Sequence, residues 1–283
     1  EKFIKVHRTK PVEIKKTFIL YIIVFMSYHK PKEIRRICDY IKPEYSMNNL
    51  LLASTSTLFG SPYLSYLIPE LRLFFRGVNR ITFIPYARPG GCTENEYTQK
   101  VRHTFGQINI EVIGLDEVQD PIAVLKESKG IFTGGGNTFL LVQRLYELDL
   151  IDPLNFVLDQ GIPYLGTSAG SNICGWGMHT TNDMPIVHPP SLRTLGRVPF
   201  NLNVHYIEPE KNSTHMGETR ETRIREFQEQ QNVPVVGLPE GTWLRVLNSE
   251  ITVKGAHPAV VFPPYESRYD LNTEEKLILH KAP

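Results

Sequence analysis

Cysteine is scarce in this sequence. Cys38, Cys92 and Cys174 are the only three in 283 residues, scattered, odd in number and without metal-ligand spacing. They imply no disulfide framework and no cysteine-built metal site, and they suit a reducing compartment, read here as the cytoplasm. Excess charge is also lacking. Lys and Arg total 31 against 30 for Asp and Glu, a net charge of +1, which gives no electrostatic reason for a nucleic-acid or anionic-membrane partner. No apolar run is long enough to span a bilayer, which takes about 20 residues. The longest candidate, residues 18–26, follows a basic flank (Lys2, Lys5, Arg8, Lys10, Lys15, Lys16) like a signal-peptide core, but no small-residue cleavage site comes after it. Residues 1–46 are therefore read as an N-terminal extension outside the fold, with Met47 the candidate start of ordered sequence and residues 47–283 the folded domain. There is no internal repeat or low-complexity tract.

What is present is ordinary globular material, 41% apolar and 22% charged, enough to bury a sizeable core. From Asn48 onward the pattern alternates. Short apolar runs ended by polar residues, at 50–54, 80–85, 108–113, 130–133 and 162–165, read as buried strands. Helix-like segments fall between them, at 62–76, 93–105, 121–127, 137–148 and 152–158. Thr93 is a candidate cap, with Glu94 and Glu96 in the first turn. Repeated βα alternation at this spacing predicts an α/β fold with a mostly parallel sheet covered by helices on both faces.

Two glycine-rich turns sit where such a sheet does chemistry, after a strand and before a helix. Gly166-Thr167-Ser168-Ala169-Gly170 is a G-x-S-x-G preceded by the strand pattern IPYL. That is the setting of a nucleophile elbow, which would raise the Ser168 hydroxyl above the sheet edge and aim the Ala169 N–H at the same point. The competing reading is a glycine-rich turn with an N-capping serine. The second turn, Gly134-Gly135-Gly136-Asn137, can bring backbone N–H groups close to a substrate, so Gly135 or Gly136 is the expected second oxyanion donor. It lacks both the Lys-Ser/Thr of a P-loop and a full G-x-G-x-x-G, so no nucleotide is expected, nor any other cofactor or metal.

A serine nucleophile needs an oriented base. Of nine histidines, His205 is best placed, at the end of the strand-like run PFNLNV. Two acids could orient it: Asp183, in the loop TNDMP after the nucleophile, and Glu240, in the turn GLPEG after the apolar run 233–238. Each is equally readable as a turn former.

Several longer stretches occur in one order: LLLASTSTL, ITFIPYA, GGGNTF, GTSAGSN, TTNDMPIV, the asparagine-rich run into His205, GETRETRIRE and VVGLPEGTW. Together, over residues 48–261, they resemble the α-aspartyl dipeptidases, the peptidase E family. The resemblance implies a flavodoxin-like αβα sandwich like that of class I glutamine amidotransferases. It also implies a serine-type dipeptidase acting on Asp-Xaa. Ser168 then matches the nucleophile and His205 the base. Asp183 matches the aspartate described as the third member, and is the expected partner of His205. Glu240 matches a glutamate also proposed for that role, and is the alternative. Arg220 matches an arginine associated with the substrate aspartate, and a guanidinium suits a carboxylate through paired hydrogen bonds. Residues 1–46 have no counterpart in the family pattern, and the segment 205–215 departs from it. The partner implied is a small dipeptide, with a homodimer as the candidate assembly. The other readings are a cyanophycinase-like hydrolase of aspartyl-arginine peptides and a catalytically inactive ligand-binding relative. A glutaminase-like enzyme of the same fold would carry cysteine at position 168.

Overall fold

The computed structural model describes residues 47–210, 214 and 216–278. The extension expected at residues 1–46 lies outside them. The strands are β1 (Asn49–Ala53), β2 (Arg80–Ile84), β3 (Glu111–Gly114), β4 (Ile131–Thr133), β5 (Tyr164–Thr167), β6 (Asn201–Val204), β7 (Val235–Leu238), β8 (Thr242–Leu247), β9 (Glu250–Gly255), β10 (Ala259–Phe262) and β11 (Tyr269–Leu271). The helices are α1 (Ile68–Phe74), α2 (Glu94–Gly106), α3 (Pro121–Lys126), α4 (Thr138–Glu147), α5 (Ile151–Leu158), α6 (Ala169–Asn172) and α7 (Arg220–Gln230).

The main sheet runs β3-β2-β4-β5-β1-β8-β9. Its first five strands are parallel, and β8 and β9 add antiparallel beyond β1. The parallel strands read as continuous apolar runs because both faces are covered. Strand β1 shows how the two faces are filled. Leu50 and Leu52 join the layer containing Leu141, Leu145, Leu154 and Val157 of α4 and α5. Leu51 and Ala53, pointing the other way, join Leu71, Phe75, Val101 and Phe105 of the α1–α2 side. Each fully buried leucine contributes about 1.5–3 kcal/mol of transfer free energy.

Local expectations hold where a side chain caps or breaks an element. Thr93 accepts from the Glu96 N–H, and the Glu96 carboxylate accepts from the Thr93 N–H, so α2 opens on a capping box. Two boundaries move. The helix expected from residue 62 is interrupted by Leu64 in a left-handed conformation (φ 56°), so a single 3-10 turn precedes α1. The strand expected at 108–113 begins only at Glu111, because Asn109 (φ 58°) turns the chain while Ile108 and Ile110 are buried beneath it. A second sheet, β11-β10-β7-β6, adds to the parallel layer foreseen from the sequence, and its parallel pair β6–β7 ends side by side just before His205 and Glu240.

Candidate active site

The strand β5 ends at Thr167, and the chain turns at Ser168 with φ 52° and ψ −113°. This is a sparsely populated region for a residue with a Cβ, costing about 1–3 kcal/mol, and it persists only where packing over-determines it. Here the surroundings do so. The Ser168 N–H donates to the Ala53 carbonyl at the end of β1, 3.1 Å away. A Cβ on Gly166 would lie 2.5 Å from the Gly170 carbonyl oxygen, and one on Gly170 would lie 2.2 Å from that of Thr133, so both flanking glycines are required by contact. The Ser168 side chain makes no helix-capping bond, which disposes of the capping-serine reading. Helix α6 is a single turn and adds little dipole field, so any help for negative charge comes from individual N–H groups.

Those hydroxyl and backbone groups meet a histidine. Nε2 of His205 lies 3.0 Å from Ser168 Oγ, and Nδ1 lies 2.9 Å from Glu240 Oε1. Serine, imidazole and carboxylate therefore form one hydrogen-bonded chain, with His205 delivered by the end of β6 and Glu240 by the turn after β7. His205 itself has positive φ (53°) and is held by its backbone. Its N–H donates to Ser54 Oγ at 2.9 Å, and the Ser54 hydroxyl donates to the Leu238 carbonyl at 2.7 Å. Ser54 is fully buried and joins the ends of β1 and β7 to the histidine. Nothing in its sequence position beyond ending an apolar run marks it for this.

Asp183 stands elsewhere. Its carboxylate accepts from the Thr138 N–H at 2.7 Å, the Thr138 hydroxyl at 2.6 Å and the Thr181 hydroxyl at 3.0 Å. It satisfies the N-terminus of α4, a favourable place for negative charge, and fastens the 181–184 loop to the glycine loop. The Asn137 amide, donating to the Met184 carbonyl at 2.8 Å, makes a second such tie. The carboxylate hydrogen-bonded to His205 is therefore that of Glu240, the alternative, and not the expected Asp183. The loop is fastened to β6 through its backbone and Asn182, which leaves the Asp183 carboxylate turned to Thr138 and Thr181. Asn203 donates to the Thr180 carbonyl at 2.7 Å, and Asn182 donates to the Val204 carbonyl at 2.7 Å.

Of the three expected oxyanion donors, one is otherwise engaged. The Gly135 N–H donates to the buried Tyr97 hydroxyl at 2.9 Å. The Gly136 N–H makes no hydrogen bond among the described residues, and Ala169 is the first residue of α6, so its N–H has no intrahelical acceptor. The glycine loop is pressed against Ser168: a Cβ on Gly135 would lie 3.0 Å from Ser168 Cβ. Gly136 has φ 148°, and a Cβ there would lie 2.0 Å from the Ala87 carbonyl oxygen. Tyr97 is a second residue the sequence did not flag, since on helix α2 it reads as one more core-facing aromatic.

Arg220 opens α7 and forms no ion pair among the described residues. Partial burial, and then the neighbouring Arg223, hold its pKa below the usual guanidinium value, an environment an anionic ligand would relieve. It makes no hydrogen bond to the Ser168–His205–Glu240 chain. Among the described residues there is no cluster of His, Cys, Asp and Glu able to hold a metal ion, and no helix long and apolar enough to cross a membrane.

The model of peptidase family S51 matches residues 50–254. A Streptomyces coelicolor protein named Peptidase E is 45% identical over 214 residues, covering 76% of this chain and 87% of the relative. A Drosophila melanogaster protein named "Probable alpha-aspartyl dipeptidase" is 42% identical over 233 residues, covering 81% of this chain and 94% of the relative. In fold, the chain is similar to a peptidase from an acI-B1 Actinobacterium, with a TM-score of 0.62 over 83% of this chain and 98% of that one at 15% identity. The chain belongs to peptidase family S51 and is a peptide-bond hydrolase.

Proposed function

We propose that the protein is a serine-type dipeptidase that hydrolyses dipeptides with an N-terminal aspartate. The observation that carries this reading is the hydrogen-bonded chain Ser168–His205–Glu240 on a strained elbow, in a chain 42–45% identical to proteins named Peptidase E and alpha-aspartyl dipeptidase. Glu240 holds the His205 Nδ1–H, which leaves Nε2 free to accept the Ser168 proton. Ser168 Oγ attacks the peptide carbonyl. The N–H groups of Ala169 and Gly136 receive the oxyanion, each worth about 3 kcal/mol in the transition state. His205 returns the proton to the leaving amine. Water, deprotonated by the same imidazole, attacks the aspartyl ester, and as the bond to Ser168 Oγ breaks the imidazolium returns that proton to Oγ, releasing aspartate and the free serine. Arg220 receives the aspartate side-chain carboxylate, and the cytoplasm is the compartment.

The test is amine release from Asp-Leu, Glu-Leu, Asn-Leu and Leu-Asp with EDTA present, for wild type and Ser168→Ala. Cleavage confined to Asp-Leu and lost in Ser168→Ala is expected. Full activity in that variant, or turnover of Leu-Asp in preference to Asp-Leu, would overturn the reading.

A further inference from the structure

A dipeptide Asp-Xaa carries a second carboxylate, at its C-terminus, and Arg220 can neutralise only one of the two. Another unpaired guanidinium stands beside the glycine loop. Arg88 follows β2, the neighbour of β4 in the parallel sheet, so the loop containing it and the loop 134–136 leave the same edge. Its attachment to that loop is direct. The carbonyl of Ala87, the residue before it, accepts the Asn137 N–H at 2.7 Å and sits where a Cβ of Gly136 would be. Its guanidinium lies over the ring of Tyr97, 5.1 Å from the centroid. The Tyr97 hydroxyl accepts the Gly135 N–H, and a Cβ on Gly135 would lie 3.7 Å from Ser168 Oγ. Arg88 is exposed and forms no hydrogen bond or ion pair with any described residue. The aromatic face beneath it fixes the height of its charge without using any of its five N–H donors.

We propose that Arg88 is a specificity-determining residue that binds the free C-terminal carboxylate of the substrate and so favours dipeptides over longer or blocked chains. The proposal rests on the dipeptidase reading above. In it, the scissile carbonyl lies over Ser168 with its oxygen towards Gly136, and the leaving residue extends along the loop that Ala87 and Arg88 border. A planar fork suits a carboxylate, and a charge-assisted pair of this kind, partly screened by solvent, corresponds to roughly ten-fold in KM. A dipeptide presents its carboxylate one residue beyond the cleaved bond. A tripeptide presents a neutral amide there.

The experiment compares kcat/KM for Asp-Leu and Asp-Leu-amide in wild type, Arg88→Met and Arg88→Lys. The methionine keeps an apolar stem over Tyr97 and removes the charge. Wild type is expected to prefer the free acid by about ten-fold or more, through KM. Arg88→Met should bring the acid-to-amide ratio towards one, and Arg88→Lys should restore it in part. A wild-type ratio near one overturns the inference. So does an equal fall for acid and amide in Arg88→Met, which would mean that Arg88 only supports Tyr97 and the glycine loop. Wild type that cleaves neither peptide removes the dipeptidase reading itself, a result distinct from both.

Discussion

Replacing Glu240 by glutamine and, separately, Asp183 by asparagine separates the two acids that the sequence offered for one role. Glu240 lies 2.9 Å from His205 Nδ1, with side-chain exposures of 50% and 38% for the acid and the histidine. When His205 takes the Ser168 proton it becomes cationic, and the Glu240 charge then acts on it. At about 3 Å that attraction is roughly 1.4 kcal/mol in a water-like dielectric and about 5.5 kcal/mol at an effective dielectric of 20. Half-exposure places this pair between those limits, near ~3 kcal/mol, so Glu240→Gln should lower kcat about 100-fold. That is less than the loss of ~10⁴ expected where the orienting acid is fully buried. Asp183→Asn removes a charge from the N-terminus of α4 and weakens three hydrogen bonds, so its effect should be on stability. A loss of about 1–2 kcal/mol would lower Tm by roughly 3–8 °C, with kcat within about ten-fold of wild type. Steady-state kinetics on Asp-Leu and thermal melts of both variants decide it. If Asp183→Asn lost activity at unchanged Tm while Glu240→Gln kept it, the structural assignment would be refuted.

Two further predictions follow from buried groups. Ser54→Ala leaves the His205 N–H without an acceptor, whereas the Leu238 carbonyl still accepts from the Tyr206 N–H at 3.0 Å. One orphaned donor costs about 1–3 kcal/mol, so Tm should drop by several degrees and kcat with it; unchanged values of both would rule out Ser54 as the support of the histidine. Burial pushes the Cys174 thiol up to about 12, so the folded protein keeps it protonated through the range near pH 8.5 where an ordinary thiol ionises. Because the folded pKa is raised, stability is lost as pH climbs above about 8.5 and the unfolded chain's thiol ionises. Alkylation at pH 8.5 with peptide mapping should label half-exposed Cys92 in the folded protein and Cys174 only in denaturant; equal labelling rates in the folded state would contradict this.

Much of the site was legible because its signals are local. A glycine at each flank of Ser168 and an apolar strand before it specify a strand–turn–helix geometry whatever surrounds it, and the structure adds the contacts that make each glycine obligatory. The same holds for the capping box at Thr93, where donor and acceptor are three residues apart. The alternation of apolar runs and amphipathic segments settled the α/β class and the parallel layer, since burial on both faces leaves a distinctive pattern in each strand.

Local pattern could not rank Asp183 against Glu240, because both are acids in turns after suitable elements. The choice was made by pairings between residues far apart in the chain: β6 lies parallel to β7, which brings His205 alongside Glu240, while Asn182 and Asn203 pin the TTND loop so that Asp183 faces α4. Ser54 and Tyr97 were hidden for the same reason, each binding a backbone N–H many residues away. By itself the sequence marked the strand–turn–helix at Ser168 and determined which layers the chain would form, because turn composition and hydrophobic periodicity act over a few residues. Only the tertiary structure decided which carboxylate meets the imidazole and which glycine amide is already taken, because those depend on hydrogen bonds between residues 35 and 38 positions apart, which exist only once β6 has paired with β7 and α2 has packed beside the glycine loop.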